Sequence, residues 1–327
     1  MHGLFDRVLG FALRGLLVGI GNLPPAVARE SCARLGSLYA RLAGARVAIA
    51  KINLAIAFPD RSLETRNRIL VESFANLGRS FAEVCLMHED EAGSLFDGVS
   101  IEGRKNLEWA EEQSGQPGAL VLTAHLGSWE FCAAALAHRG LPVSAVQRGF
   151  DNPYVERIVT AWRERAGMET IPMGGAARGL FRALTRGRYV ALLMDQNANE
   201  AEGVWADFFA HPAMTRSGPV LISMTRGAAM IPVFCFRVGR TGTHVVRIGA
   251  PLVLEEGATD DEGESNAALR RNVERINAVL EEAIQEAPEQ WIWTHRRFRT
   301  QPRGAEPIYP ERRSLTRTLR HWLRRRG

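Results

Sequence analysis

A histidine and a glutamate five residues apart, His125 and Glu130, form the pair most suited to catalysis in this sequence. The apolar run Ala119–Thr123 precedes the histidine and predicts a strand, and the residues from Phe131 onward predict a helix. In the turn between them, a carboxylate that reaches the imidazole fixes its tautomer and leaves the other ring nitrogen as a base for a substrate hydroxyl. The same spacing also suits a purely structural hydrogen-bonded pair, so both interpretations stay open at this point.

Other polar groups near the predicted strand ends are candidates for substrate contacts. The backbone N–H groups of Gly127 and Ser128, at the start of the predicted helix, are candidate oxyanion donors. Arg148 follows a second predicted strand and would either pair with a phosphate or be a surface charge. Asp195 ends an apolar strand, where α/β sheets place functional groups, and would position a sugar or Arg148, or cap a turn. Arg216 is a weaker phosphate candidate.

Apolar strand-like runs alternate with helix-like segments over much of the chain. The predicted strands are Ala119–Thr123, Val143–Val146, Tyr189–Met194, Met230–Phe236 and His244–Ile248. This alternation predicts a three-layer α/β core, with a mixed sheet, from about residue 99 onward. Apolar residues recur at helical spacing before it, which predicts a mainly α-helical N-terminal region.

The composition is that of a globular protein with an anionic partner. Of 327 residues, 46% are hydrophobic and 24% are charged, which permits a sizeable core. The net charge is +5, so the partner could be a nucleic acid, an acidic carrier protein or an anionic membrane face. Composition alone does not choose between these partners.

Residues 1–24 have the pattern of an amphipathic helix. Arg7 and Arg14 fall on nearly the same face. The opposite face would carry Phe5, Leu9, Ala12, Leu16 and Ile20. The apolar run is shorter than the roughly 20 residues that a membrane-spanning helix needs. The segment is therefore either a helix lying in the membrane interface or a helix packed on its own domain.

Two segments near the C-terminus are rich in basic and aromatic residues. Residues 290–298 contain two tryptophans and two arginines, which would form an interfacial cluster or simply pack in the core. The tail 306–327 has arginines and apolar residues at helical spacing, and predicts either a contact with anionic membrane or a solvated tail. The tail arginines are Arg312, Arg313, Arg317, Arg320, Arg324, Arg325 and Arg326. A nucleic-acid arm is a weaker interpretation, because no nucleic-acid-binding fold signature accompanies the tail.

The segment His125-Leu-Gly-Ser-Trp-Glu130 resembles the H-x4-D/E motif of glycerolipid-type acyltransferases. Its glutamate variant, with Gly-Ser-Trp-Glu, resembles the late acyltransferases of lipid A biosynthesis, the lauroyl and myristoyl transferase family. Further segments resemble that family in the same order along the chain. They are Asn53–Asp60, Gln147–Pro153, Leu193–Asn197 with Phe208–Gly218, Ala228–Val233 and Gln290–Phe298. The resemblance runs from about residue 45 to residue 300.

This resemblance implies a reaction. An acyl chain would pass from acyl carrier protein or acyl-CoA to a hydroxyl of a lipid A precursor, with His125 as general base and Glu130 stabilising the imidazolium. It requires no metal and no cofactor, and involves no nucleic acid. A single acyltransferase domain would occupy residues 25–305, helical over 25–98 and α/β over 99–305, attached peripherally or monotopically to the cytoplasmic face of the inner membrane.

Two alternatives stay open. The acceptor could be another lipid, such as a phosphatidylinositol mannoside or an amino-acid lipid, with the same catalytic residues. The chain could also be a non-catalytic membrane-binding protein, although the intact His125 and Glu130 argue against it.

Overall fold

The computed structural model describes residues 2–42, 44–89, 93–147, 149–174, 176–257 and 262–310. The described helices are α1 (His2–Gly21), α2 (Pro25–Leu42), α3 (Gly44–Ala57), α4 (Leu63–Glu89), α5 (Lys105–Ser114), α6 (Trp129–His138), α7 (Pro153–Arg165), α8 (Ala176–Thr185), α9 (Gly218–Arg226) and α10 (Glu262–Glu286). The described strands are β1 (Val99–Glu102), β2 (Ala119–Thr123), β3 (Val143–Gln147), β4 (Glu169–Pro172), β5 (Tyr189–Leu193), β6 (Gly203–Phe208), β7 (His211–Arg216), β8 (Met230–Arg237) and β9 (His244–Ile248).

A seven-stranded mixed sheet forms the centre of the molecule, in the order β1-β9-β8-β2-β5-β3-β4. Its strand pairs are parallel except β8 with β9. The prediction of an α/β core after a helical N-terminal region is therefore confirmed. The sequence did not reveal β1 and β4, which are only four residues long, or the separate hairpin of β6 and β7.

The N-terminal helices share a hydrophobic core with the sheet. Leu54 of α3 and Phe74 of α4 belong to the same buried cluster as Leu122 of β2. Helices α2 and α4 cross in backbone contact, because a Cβ atom on Gly36 would lie 2.1 Å from the Phe74 carbonyl oxygen. The helical region therefore fixes α4, which runs past the end of β2 and reaches the candidate site.

Helix α1 packs on the protein through one stripe and exposes another. Leu17 is buried, and the Arg7 guanidinium donates a hydrogen bond of 2.7 Å to the hydroxyl of Tyr154 on α7. The exposed apolar side chains of this helix are Val8, Leu9, Phe11, Leu16 and Val18. The helix is thus docked on its own domain, as one interpretation predicts, and it leaves apolar surface uncovered, while its placement in a membrane interface stays a prediction. Among the described residues, no helix has both the length and the apolar character needed to cross a bilayer.

The segment after α10 returns to the end of the sheet and is buried there. The fully buried amide of Asn53 donates to the carbonyl oxygens of Trp293 and His295, each at 2.7 Å. Trp291 and Trp293 are 2% and 1% exposed, so core packing, rather than a membrane-interface cluster, accounts for both tryptophans. The basic tail Arg312–Arg326 lies outside the described residues.

Candidate active site

The register of two parallel strands places His125 beside Asp195. Thr123 of β2 pairs with Leu193 of β5, and each polar residue follows its strand by two positions. Because the carboxyl ends of neighbouring parallel strands lie at the same edge of a sheet, the two side chains meet there. The imidazole Nδ1 of His125 lies 2.9 Å from a carboxylate oxygen of Asp195.

The Asp195 carboxylate is buried, and both of its oxygens accept hydrogen bonds. Its second oxygen accepts from the backbone N–H of His125 at 3.0 Å and from the indole N–H of Trp291 at 2.8 Å. The side chain of Asp195 is 2% exposed and that of His125 is 18% exposed. Because an ionised carboxylate only accepts hydrogen bonds, Nδ1 carries the proton in neutral His125. The lone pair of Nε2 is then the basic position.

The charges around the imidazole favour its protonated form. Burial lowers the pKa of His125, but the charge and hydrogen bond of Asp195, together with the charge of Glu130, outweigh that effect and raise this pKa above its usual value. Burial opposes ionisation of Asp195, yet His125 and Trp291 hold the pKa of its carboxyl at about 2. In this pair the histidine is therefore readily protonated, and the aspartate stays ionised.

Glu130 does not form the expected hydrogen bond with His125. Its carboxylate forms a bidentate ion pair with Arg163 of α7, in which Nε donates at 3.1 Å and a terminal nitrogen donates to the other oxygen. Arg163 also donates to the amide oxygen of Gln147 at the end of β3. The second position of α6 directs Glu130 toward α7, whereas the strand register directs His125 toward Asp195. The predicted orienting role of Glu130 was thus wrong in its geometry, and Asp195 takes that position.

The loop that carries His125 is held on two sides. The backbone N–H of Gly127 donates to the carbonyl of Gln290 at 2.9 Å, and the Gly127 carbonyl accepts from the hydroxyl of Ser80 at 3.0 Å. Gly127 has a φ of 60°, and a Cβ atom there would lie 1.9 Å from the carbonyl oxygen of Cys235. Glycine is required at this position for both reasons.

These contacts change the set of candidate oxyanion donors. The predicted donor Gly127 is wrong, since its N–H is already bonded to Gln290. Ser128 precedes the first residue of α6, and its side chain does not cap the helix. Its hydroxyl is buried without a hydrogen-bond partner among the described residues. Ser128 therefore stays a candidate donor at this helix start.

The three predicted substrate-binding residues have different outcomes. Asp195 contacts His125 and Trp291 instead of a surface available to a sugar. Arg216 forms an ion pair of 2.9 Å with Glu202 on the hairpin. Arg148 lies outside the described residues.

Sequence reasoning missed three residues near the imidazole. The amide nitrogen of Gln196 lies 3.2 Å from Nε2 and 3.3 Å from Nδ1 of His125, so it packs against the imidazole and is not aimed at one ring nitrogen. Nε2 of His295 accepts from the backbone N–H of Asn197 at 3.1 Å, and burial lowers the pKa of His295 to about 4. The third residue that sequence reasoning missed is Arg163, which forms the ion pair with Glu130. Gln196 and His295 lie within segments singled out by the sequence, but only the strand order and the returning C-terminal segment reveal that they converge.

Several known proteins have sequences similar to that of this chain. Residues 5–300 match the sequence profile of the family described as bacterial lipid A biosynthesis acyltransferase. The palmitoleoyltransferase of lipid A biosynthesis from Escherichia coli K12 is 29% identical over 84% of this chain and 86% of its own length. The lauroyltransferase of lipid A biosynthesis from the same organism is 27% identical over 90% of this chain and 92% of its own length. A phosphatidylinositol mannoside acyltransferase from Mycolicibacterium smegmatis is 26% identical over 53% of this chain and 56% of its own length.

Proposed function

The chain belongs to the family of bacterial lipid A biosynthesis acyltransferases, and we propose that it transfers a fatty acyl group from an acyl thioester to a hydroxyl of a lipid A precursor. The donor would be acyl carrier protein or acyl-CoA, and His125 would be the general base. The observation that carries this proposal is the buried Asp195 carboxylate, which leaves Nε2 of His125 as the basic nitrogen at the carboxyl edge of the sheet.

The proposed step is direct acyl transfer. The acceptor hydroxyl gives its proton to Nε2 of His125 as its oxygen attacks the thioester carbonyl. Asp195 stabilises the resulting imidazolium through the hydrogen bond to Nδ1. Collapse of the tetrahedral intermediate breaks the carbon–sulfur bond, and His125 returns the proton to the departing thiolate. The products are an ester and a free thiol.

Glu130 and Arg163 would act around this step rather than as its base. The charge of Glu130 adds to the stabilisation of the imidazolium from outside hydrogen-bond distance. The hydroxyl of Ser128 and the N–H groups in the first turn of α6, which have no acceptor within their own helix, are the proposed donors to the oxyanion. Arg163 holds Glu130 in place and brings a positive charge to the same side of the site.

Attachment to a membrane surface is proposed from the exposed apolar side chains of α1 and α2. Phe11 is 73% exposed and Val8 is 58% exposed on α1, and Leu35 is 64% exposed on α2. A soluble surface rarely leaves so many large apolar groups together. The basic tail would add an electrostatic contribution on an anionic surface, and the cytoplasmic face of the inner membrane is the proposed location.

This attachment has a direct test. Serine at both Val8 and Phe11 should reduce co-sedimentation with anionic vesicles, because apolar area is lost from the proposed contact. A matched control is Val253→Ser, since that side chain is equally exposed at 73% but lies between β9 and α10. Equal vesicle binding by the double variant and the control would contradict the role of α1.

The lipid acceptor also has a test. Purified full-length protein should esterify a lipid A precursor when supplied with an acyl thioester, and His125→Ala should not. A phosphatidylinositol mannoside is the second acceptor to assay, although the relative with that name matches only about half of this chain. Absence of transfer to a lipid A precursor with either donor, together with transfer to another lipid, would contradict the proposed acceptor.

A further inference from the structure

Trp129 lies between two apolar spaces. It is the first residue of α6, and its ring lies edge-on to the His125 imidazole with 5.1 Å between ring centroids. It lines an inner cavity of about 40 Å³ between the sheet and the helices α5 and α6. It also lines an outer groove of about 140 Å³ beside α4, together with Leu77, Phe81 and Glu130. One side chain next to the proposed base is therefore common to both spaces.

The inner cavity follows the strands away from the active site. Thr123 lines it at the carboxyl end of β2, and Tyr189 lines it at the start of β5. Tyr189 pairs in register with Ala119, so these two lining residues are separated by about 13 Å along the strands at about 3.3 Å per residue. Ala191 in the middle of β5 and Ala133 in the middle of α6 face it and are only partly buried. The lining thus forms an apolar path from the candidate base to the opposite edge of the sheet.

The cavity in this state is too small for a lipid chain. At about 10–15 Å³ of cavity volume per water molecule, a volume of about 40 Å³ has room for a few waters, which is far less than a lipid chain occupies. The lining must therefore move before a chain enters. Among the described residues the indole N–H of Trp129 has no hydrogen-bond partner, whereas those of Trp291 and Trp293 donate to Asp195 and Pro288. Trp129 can rotate without breaking a hydrogen bond.

We propose that Trp129 is the movable closure of a compartment for the donor's acyl chain, and that the small residues Ala133 and Ala191 leave room for the length of that chain. This inference rests on the proposed function. The donor acyl group has its reacting carbonyl at one end and a free methyl at the other, so it can enter a blind apolar space with its carbonyl at the mouth. The mouth is beside His125, where that carbonyl must lie. A chain in this compartment displaces the indole toward the outer groove.

Two kinds of substitution test this compartment. Ala191→Leu and Ala133→Leu each fill the path and should reduce kcat/KM for the longest accepted chain by at least about tenfold relative to the shortest. Trp129→Phe removes part of the closure and should broaden the range of accepted chains. The assay compares decanoyl, lauroyl, myristoyl and palmitoyl thioesters with the full-length protein and one acceptor. Ala278→Leu on the exposed face of α10 and Trp109→Phe on α5 are matched controls that should keep the wild-type ratios.

A second measurement does not depend on turnover. Binding of the four matching free fatty acids is measured by quenching of tryptophan fluorescence, and thermal unfolding shows whether each variant is folded. Folded Ala191→Leu or Ala133→Leu protein should lose affinity for palmitate more than for decanoate. Unchanged chain-length ratios in both assays for the folded variants would overturn the compartment. If the wild-type protein binds fatty acids with these changes but transfers none of the thioesters, the proposed function fails and the compartment stands.

Discussion

Asp195 and Glu130 both place a negative charge near His125, but in contrasting surroundings. Asp195 is 2% exposed, accepts hydrogen bonds from His125 and Trp291, and has no arginine or lysine among its ion-pair partners in the described part of the chain. Glu130 is 20% exposed and shares its charge with Arg163. One carboxylate therefore interacts mainly with the imidazole, and the other mainly with a guanidinium.

This difference separates two tasks that a single acidic residue was expected to perform. A buried carboxylate whose ion-pair partner is the imidazole fixes the tautomer of that imidazole and stabilises its charge strongly. A partly exposed carboxylate in an ion pair acts on the same imidazole through a partly neutralised charge. Substitutions that remove each group in turn should give different pH profiles as well as different rates.

The largest expected effect is that of His125→Ala. Transfer should fall by about 10²–10⁴-fold, because the base is lost while Asp195 keeps its bonds to the His125 backbone N–H and to Trp291. Steady-state rates and thermal unfolding of the purified variant measure this. His211→Ala on the β6–β7 hairpin is the matched control and should retain wild-type rates. Substantial turnover by His125→Ala would show that His125 is not the base, and the effects of Asp195 and Glu130 on its imidazole would then not matter for the rate.

Asp195→Asn should come next, with a loss of about 10²–10⁴-fold and a shifted pH profile. The wild-type rate should rise with pH and level off above the raised pKa of His125, since only the neutral imidazole accepts a proton. Removing the Asp195 charge lowers that pKa, so the rising limb should move to lower pH. The dependence of kcat/KM on pH measures this shift. A profile that keeps its position would contradict the assigned contact between Asp195 and His125.

Glu130→Gln should cost less, about 10–10²-fold, and should move the same limb in the same direction by a smaller amount. Its charge contributes less to the pKa of His125 than that of Asp195 does. Part of the loss should arise from Arg163, because its largely buried guanidinium would then have only neutral hydrogen-bond partners. Arg163→Lys serves as the companion variant, because it keeps the charge and loses the bidentate geometry. A shift larger than that of Asp195→Asn would reverse the comparison.

The smallest effect should come from Trp291→Phe. This change removes one donor from the Asp195 carboxylate and should lower the free energy of unfolding by about 1.5–3 kcal/mol, with a loss of rate below about tenfold. Trp293→Phe is the matched control, since its indole donates to the Pro288 carbonyl instead. Only Trp291→Phe should alter the pH profile. Identical profiles for the two variants would mean that Trp291 does not tune the aspartate.

The sequence predicts the sheet better than it predicts the site. Apolar runs such as Ala119–Thr123 and Tyr189–Leu193 are strong strand signals, and both occur in the sheet where expected. That β2 and β5 are neighbours in the sheet cannot be read from the sequence, because β3 and β4 lie between them along the chain. Strands that are consecutive in the chain are usually neighbours in a sheet, so the sequence favours β3 as the neighbour of β2. The contact between His125 and Asp195 was therefore not predicted. The closeness of His125 and Glu130 along the chain suggested the wrong hydrogen bond.

The antiparallel bridge between Leu126 and Trp291 has a consequence for how the protein is made. The loop that carries His125 leaves the ribosome long before its partner segment is synthesised. At about 5–20 residues per second, the wait is on the order of ten seconds. During that time the loop lacks the Gln290 carbonyl that accepts from Gly127, and Asp195 lacks the Trp291 indole. Nascent chains and fragments that stop before residue 290 therefore contain His125 and Asp195 without an assembled site.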